Sequence, residues 1–136
     1  SEQQTMIKGM KVLVAEDESI NQALITTLLT QFGFNVTAVD NGKMAVEAAS
    51  TDDYQLILMD LQMPDMDGFE ATKIIKTFTG KQNIPPIIAL TAHAMGKDKE
   101  KCLLAGMDDY LSKPIDRNEL YQVLIRHLPH NKPSQE

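Results

Sequence analysis

The chain has 136 residues, 43% hydrophobic and 24% charged, close to an average soluble domain and long enough to bury one core without a metal or disulfide. Acidic residues outnumber basic ones 19 to 13 and leave a formal net charge of -6, which disfavours a phosphate backbone as a direct partner. A single cysteine, Cys102, excludes an intramolecular disulfide and fits a reducing compartment, and no apolar run nears the roughly 18 to 20 residues of a membrane span.

In chain order, residues 1–9 are polar and uneven and read as a linker or remnant; Ser1 in place of an initiator Met fits a processed or excised module. Met10–Ala15 is a short β-branched run and predicts a first strand. A helix follows with Ile20, Leu24, Leu28 and Phe32 at near four-residue spacing, and Gly33 falls where a C-cap belongs. Phe34–Val39 predicts a second strand, after which Asn41-Gly42 opens a helix through Met44, Ala45, Ala48 and Ala49. Gln55–Met59 predicts a buried third strand, and Pro64 to Gly68 a loop. Asp67 with Glu70 reads as a capping box opening a helix through Ile74, Ile75 and Phe78. Ile87–Leu90 predicts a fourth strand, followed by a polar helix from about Gly96 to Ala105. Its charge run Lys97-Asp98-Lys99-Glu100-Lys101 alternates in sign, as on a solvated face. Asp109–Leu111 predicts a fifth strand. Asp116 with Glu119 repeats the capping pattern before a helix through Leu120, Val123, Leu124 and Leu128, and residues 129–136 form a polar tail. One domain over residues 10–128 accounts for these elements.

Strands alternating with helices indicate parallel βαβ units with right-handed crossovers, and near-continuous apolar strands indicate helices on both faces of the sheet. In such a doubly wound α/β sheet, function gathers outside the carboxyl ends of the strands. Those ends carry Glu16-Asp17-Glu18, Asp60, Thr91 and Lys113-Pro114. If the strand order is 2-1-3-4-5, Asp17 and Asp60 stand side by side. Two carboxylates about 4 Å apart repel by roughly 4 kcal/mol at an effective dielectric near 20, and Glu16 adds to the repulsion. A hard divalent cation, Mg²⁺ foremost, relieves it and leaves positions for water or a phosphoryl oxygen. Lys113 brings a second positive charge, and the Thr91 hydroxyl with nearby backbone N–H groups can hold an oxyanion. This set suits phosphoryl transfer with Asp60, the central carboxylate, as nucleophile.

Val14-Ala15-Glu16-Asp17, the run from Met59 to Gly68, Leu90-Thr91-Ala92 and Leu111-Ser112-Lys113-Pro114-Ile115 resemble the receiver domain of two-component response regulators over residues 10 to 128. The resemblance implies a flavodoxin-like (βα)5 fold with strand order 2-1-3-4-5. It further implies that Asp60 accepts a phosphoryl group from a phosphohistidine on a histidine kinase or a histidine phosphotransfer domain. Asp17, Asp60 and the backbone carbonyl of Gln62 would bind Mg²⁺ directly, with Glu16 reaching it through water. Thr91 and Lys113 would contact the phosphoryl oxygens, Thr91 and Tyr110 would form the conformational switch, and the Lys113–Pro114 bond would be cis. Gln62 and His93 match positions that tune dephosphorylation. Glu16 departs from the family, where many members carry Asp, and its extra methylene bears on metal geometry.

Asn21-Gln22, Gln62-Met63-Pro64, Thr91 to Met95 and Ala105 to Tyr110 are similar to receivers of hybrid sensor histidine kinases. That finer likeness implies a cytoplasmic module of a parent protein that is itself membrane-anchored in some cases, with no membrane contact by this domain. A stand-alone or truncated regulator is the alternative. Catalysis would extend only to the domain's own phosphorylation and dephosphorylation. An aspartyl-nucleophile phosphatase fits less well, because Gln62 stands where that chemistry wants a second Asp as general acid. A flavin site lacks its phosphate loop after the first strand. His93, His127 and His130 lack metal-site spacing and read as surface residues. Met59, Met107 and Cys102 read as core packing.

Overall fold

Five strands of four or five residues alternate with five helices in a computed structural model that describes residues 7–78, 84–92 and 97–128. The elements are β1 (Lys11–Ala15), α1 (Ser19–Phe32), β2 (Asn35–Val39), α2 (Gly42–Thr51), β3 (Leu56–Asp60), α3 (Gly68–Ile75), β4 (Ile87–Thr91), α4 (Lys97–Ala105), β5 (Asp109–Ser112) and α5 (Arg117–His127). All strand pairs are parallel and the order is β2-β1-β3-β4-β5, as expected. Every residue of β3 and β4 is buried, so these central strands can afford no alternation and read as continuous apolar runs.

The sheet separates two cores. On one face Val12, Val14, Leu56, Leu58, Ile88 and Leu90 meet Ile25, Leu29 and Phe32 of α1 and Leu120, Val123 and Leu124 of α5. On the other, Leu13, Ile57, Met59, Ile87 and Ala89 meet Ala45 and Ala49 of α2, Ala71 and Ile75 of α3, and Cys102 of α4. Met59, Met107 and Cys102 thus pack as expected.

Local chemistry sets most boundaries. Asn41, Asp67 and Asp116 are N-caps whose side chains accept from the amides of Met44, Glu70 and Glu119. Gly33 ends α1 at φ +113°, and its N–H donates to the Leu29 and Thr30 carbonyls, a left-handed C-cap that favours glycine.

Three expectations need correction. The buried stripe of α1 is Ile25, Leu29 and Phe32, whereas Ile20 is 75% and Leu24 41% exposed. The helix carries two overlapping apolar series, and only packing against the sheet selects between them. The expected linker 1–9 contains a core residue, since Ile7 is fully buried on the α1 face and Gly9 N–H donates to the Gly33 carbonyl. His127 is half-buried, not a free surface residue, with Nε2 2.9 Å from Asp109 Oδ2. His93, His130 and the tail lie outside the described residues. No helix among the described residues is long and apolar enough to cross a membrane.

Candidate functional site

Strand register assembles the site. Ala15 pairs with Met59, so Glu16, one step beyond β1, stands abreast of Asp60, the last residue of β3. Asp60 pairs with Leu90, and Thr91, the last residue of β4, pairs with Ser112. Lys113 then follows β5 with its N–H on the Thr91 carbonyl at 2.7 Å, and the Lys113–Pro114 bond is cis, as expected. Four residues distant in sequence therefore meet because four parallel strands end at one level.

The α3 N-terminus closes this edge from below. Gly68 N–H donates to the Leu61 carbonyl at 3.0 Å, and a Cβ on Gly68 would lie 2.2 Å from the Asp60 carbonyl oxygen. Only glycine permits so close an approach of the helix to the β3 terminus.

Glu16 is fully buried and Asp60 is 3% exposed, while Asp17 is exposed. Lys113 Nζ bridges the two buried acids, 2.9 Å from Glu16 Oε1 and 3.1 Å from Asp60 Oδ1. The other Glu16 oxygen accepts from Glu18 N–H at 3.0 Å, and Gln62 N–H points to Asp60 Oδ1 at 3.3 Å. Burial and then the neighbouring Glu16 push the Asp60 carboxyl up to about 7, against the opposing pull of Lys113. Burial works against the Lys113 ammonium, yet its bonds to Glu16 and Asp60 more than offset that and hold it charged above the ordinary lysine value.

Glu16, Asp17 and Asp60 each present a carboxylate oxygen within 4.8 Å of the others. Three oxygens so close, with the Lys113 ammonium paired to two of them, form a donor set that fits a hard divalent cation and no soft one. The extra methylene of Glu16 does not remove it from the cluster. These groups line one cavity of about 730 Å³ together with Asn21, Thr91 and Lys101. Gln62 is exposed at its rim. Tyr110 lies on β5 outside this cavity, half-buried against the core that contains Met59.

The structure thus brings Glu16, Asp17, Asp60, Gln62, Thr91 and Lys113 together. Sequence reasoning missed the contacts made by two site neighbours. Gln22 binds the backbone at the ends of β1 and β2, and Asp109 anchors α5 beside Tyr110. Neither contact has a local signal, because each depends on how a helix lies across the sheet.

The family model of the response regulator receiver domain matches residues 12–125. The chain is 45% identical over 121 residues to the sensor protein GacS of Pseudomonas syringae pv. syringae, covering 88% of this chain and 13% of that protein. It therefore spans about one-eighth of the length of such relatives. Among solved structures it is similar to the receiver domain of the sensor histidine kinase PA1611 from Pseudomonas aeruginosa PAO1, which has a magnesium ion coordinated in its active-site cleft. That match has 44% identity, a TM-score of 0.81, and covers 88% of this chain and 97% of the other. It is also similar to a co-crystal of the Saccharomyces cerevisiae histidine phosphotransfer protein Ypd1 with the receiver domain of its downstream response regulator Ssk1. Here identity is 34%, the TM-score 0.83, and coverage 89% and 90%.

Proposed function

The chain belongs to the response regulator receiver domain family, and on that premise we propose that Asp60 accepts a phosphoryl group from a phosphohistidine and relays a signal by changing conformation. The observation that carries this reading is the position of Asp60. It is buried at the centre of the strand ends, 3.1 Å from Lys113 and clustered with Glu16 and Asp17.

In the transfer, an Asp60 carboxylate oxygen forms the new O–P bond. The P–N bond to the donor imidazole breaks, and its electron pair stays on the ring nitrogen. Asp17, Asp60 and the Gln62 carbonyl, with Glu16 through water, would hold Mg²⁺, which would supply positive charge to keep Asp60 ionised and to offset charge on the phosphoryl oxygens. Lys113 is already aimed at Asp60 and follows the phosphoryl group as a compact cation. Thr91, paired with Ser112 across the β4–β5 pair and one residue from the level of Lys113, offers its hydroxyl. Its shift toward the phosphoryl group makes room for Tyr110 to turn inward, biasing two pre-existing conformations. Gln62 and His93 set the lifetime of the acyl phosphate.

The donor is a histidine kinase or a histidine phosphotransfer domain, and the parent is a hybrid histidine kinase whose receiver works in the cytoplasm. The likeness to GacS and to the PA1611 receiver supports that parentage, and the Ypd1–Ssk1 complex supports the class of partner.

The test is phosphoryl uptake from acetyl phosphate and from a phosphorylated phosphotransfer domain, with Mg²⁺. Wild type takes up phosphate and Asp60→Asn does not. Uptake unchanged by that substitution, or absent with every donor, overturns the reading.

A further inference from the structure

We propose that Gln22, on the second turn of α1, is a positioning residue that holds the acidic β1–α1 segment in the geometry a divalent cation requires. The inference rests on reading the Glu16, Asp17 and Asp60 cluster as a metal site, and it assigns to Gln22 the support of that site.

The Gln22 side-chain nitrogen is surrounded by three acceptors. Nε2 lies 2.8 Å from the Glu16 carbonyl, 3.1 Å from the Val39 carbonyl and 3.1 Å from Asp40 Oδ1. Two N–H hydrogens thus serve three oxygens, and the orientation of the amide is dictated, since its own oxygen would face only acceptors. The Glu16 N–H also donates to the Val39 carbonyl at 3.1 Å. The end of β1 is therefore tied to the end of β2 twice, directly and through Gln22.

The tie is needed because the segment it holds is under electrostatic load. Glu16, Asp17 and Asp60 each keep a carboxylate oxygen within 4.8 Å of the others, and like charges at that range repel. Lys113 reaches Glu16 and Asp60; no ion pair links it to Asp17 among the described residues. Within the segment and α1, Glu18 N–H donates to Glu16 Oε2 and Asn21 N–H to Glu18 Oε1. Gln22 is the side chain that fastens Glu16 across the segment to β2. Without it the Glu16 backbone keeps one bond to β2, and the three carboxylates can relax apart, so the site must be reassembled each time a cation binds.

Calorimetric titration of the 136-residue chain with MgCl₂ tests this in four proteins: wild type, Asp60→Asn, Gln22→Met and Gln22→Arg. Met keeps the side-chain length without N–H donors, and Arg restores donors. Asp60→Asn should abolish or strongly weaken binding. Gln22→Met should raise Kd about fivefold to tenfold, a tenfold change being about 1.4 kcal/mol. Gln22→Arg should stay within about twofold of wild type, as expected if donors are what matters. Melting in EDTA separates roles, because a purely structural Gln22 would lower the melting temperature and leave Kd unmoved. Binding lost in Asp60→Asn but unchanged in Gln22→Met overturns the positioning role alone. A wild type that takes up no Mg²⁺ overturns the metal-site reading and this inference with it. Should Gln22→Met fail to fold, Gln22→Ala takes its place with the same criteria.

Discussion

At the scale of single residues, two carboxylates carry opposite pH signatures. Asp60 is pushed up to about 7 by burial and by Glu16, so its folded value lies above its unfolded one. The stability it contributes is present below the ordinary carboxylate range and is lost as pH rises through about 7. Asp60→Asn removes this load. The metal-free variant should be more stable than wild type at about pH 8, by on the order of 1–2 kcal/mol, and should lose that advantage near pH 4. Urea unfolding at the two pH values measures it. Asp109 behaves in the reverse sense. Burial raises its carboxyl, but the His127 bond, the Tyr110 amide and Arg126 more than offset this and hold it below the usual range. Its stabilisation is present above about pH 4 and is lost as pH falls through the depressed value. Asp109→Asn should lower the denaturation midpoint at neutral pH, and the difference should close below about pH 3. A difference that persists in acid would show that the carboxylate charge is not its source.

At the scale of elements, two glycines hold helices in place for different reasons. Gly68 brings α3 against the end of β3, and a Cβ there would meet the Asp60 carbonyl at 2.2 Å. Backbone cannot yield as a flexible side chain can. Gly68→Ala should therefore cost about 2–4 kcal/mol and reduce Mg²⁺ affinity, because the displaced strand end bears Asp60. Gly33→Ala meets only ordinary contacts, 3.4 Å from Ile7 at the nearest, but must adopt φ +113°. It should cost about 1 kcal/mol and leave Mg²⁺ binding unchanged. Guanidinium unfolding of both variants, with calorimetric Mg²⁺ titration beside it, distinguishes a damaged site from a damaged cap. Helix α4 differs from its neighbours in leaving Leu103 and Leu104 64% and 84% exposed. The helix expected to be polar has a narrow apolar face, since its described buried residues are Cys102 and Ala105.

At the scale of the whole molecule, the acidic balance has a local focus. In a chain of net charge -6, Glu16, Asp17 and Asp60 bring three carboxylates within 4.8 Å of one another, with Lys113 paired to two of them. A ligand that binds only the folded state stabilises it by mass action, so Mg²⁺ at about 100 times its Kd should raise the melting temperature by roughly 10 °C. Asp17→Asn should remove most of that rise, while NaCl at equal ionic strength should not reproduce it. A melting curve in each salt decides the matter.

How much of this was legible beforehand depended on the range of the physics involved. Caps at Asn41, Asp67 and Asp116, the left-handed Gly33 and the buried runs of β3 and β4 follow from neighbours within a few residues, so their chemistry is written locally. The strand-end residues Glu16, Asp17, Asp60, Thr91 and Lys113 were legible too, because a parallel sheet places all carboxyl ends on one edge. Other features could not be read. Whether Ile20 or Ile25 faces the core is open until α1 docks, since both lie on apolar series of helical spacing. Ile7 looks like tail until the groove beside Gly33 exists to bury it. The bridge of Lys113 between Glu16 and Asp60, the grip of Gln22 on two strand ends and the pairing of His127 with Asp109 join residues far apart in the chain. By itself, then, the sequence determined the strand-and-helix alternation and which side chains stand at the carboxyl ends of the strands. Only the tertiary structure decided which helix face is buried, which acid is desolvated and what braces the site, because burial and charge pairing are set by three-dimensional distance.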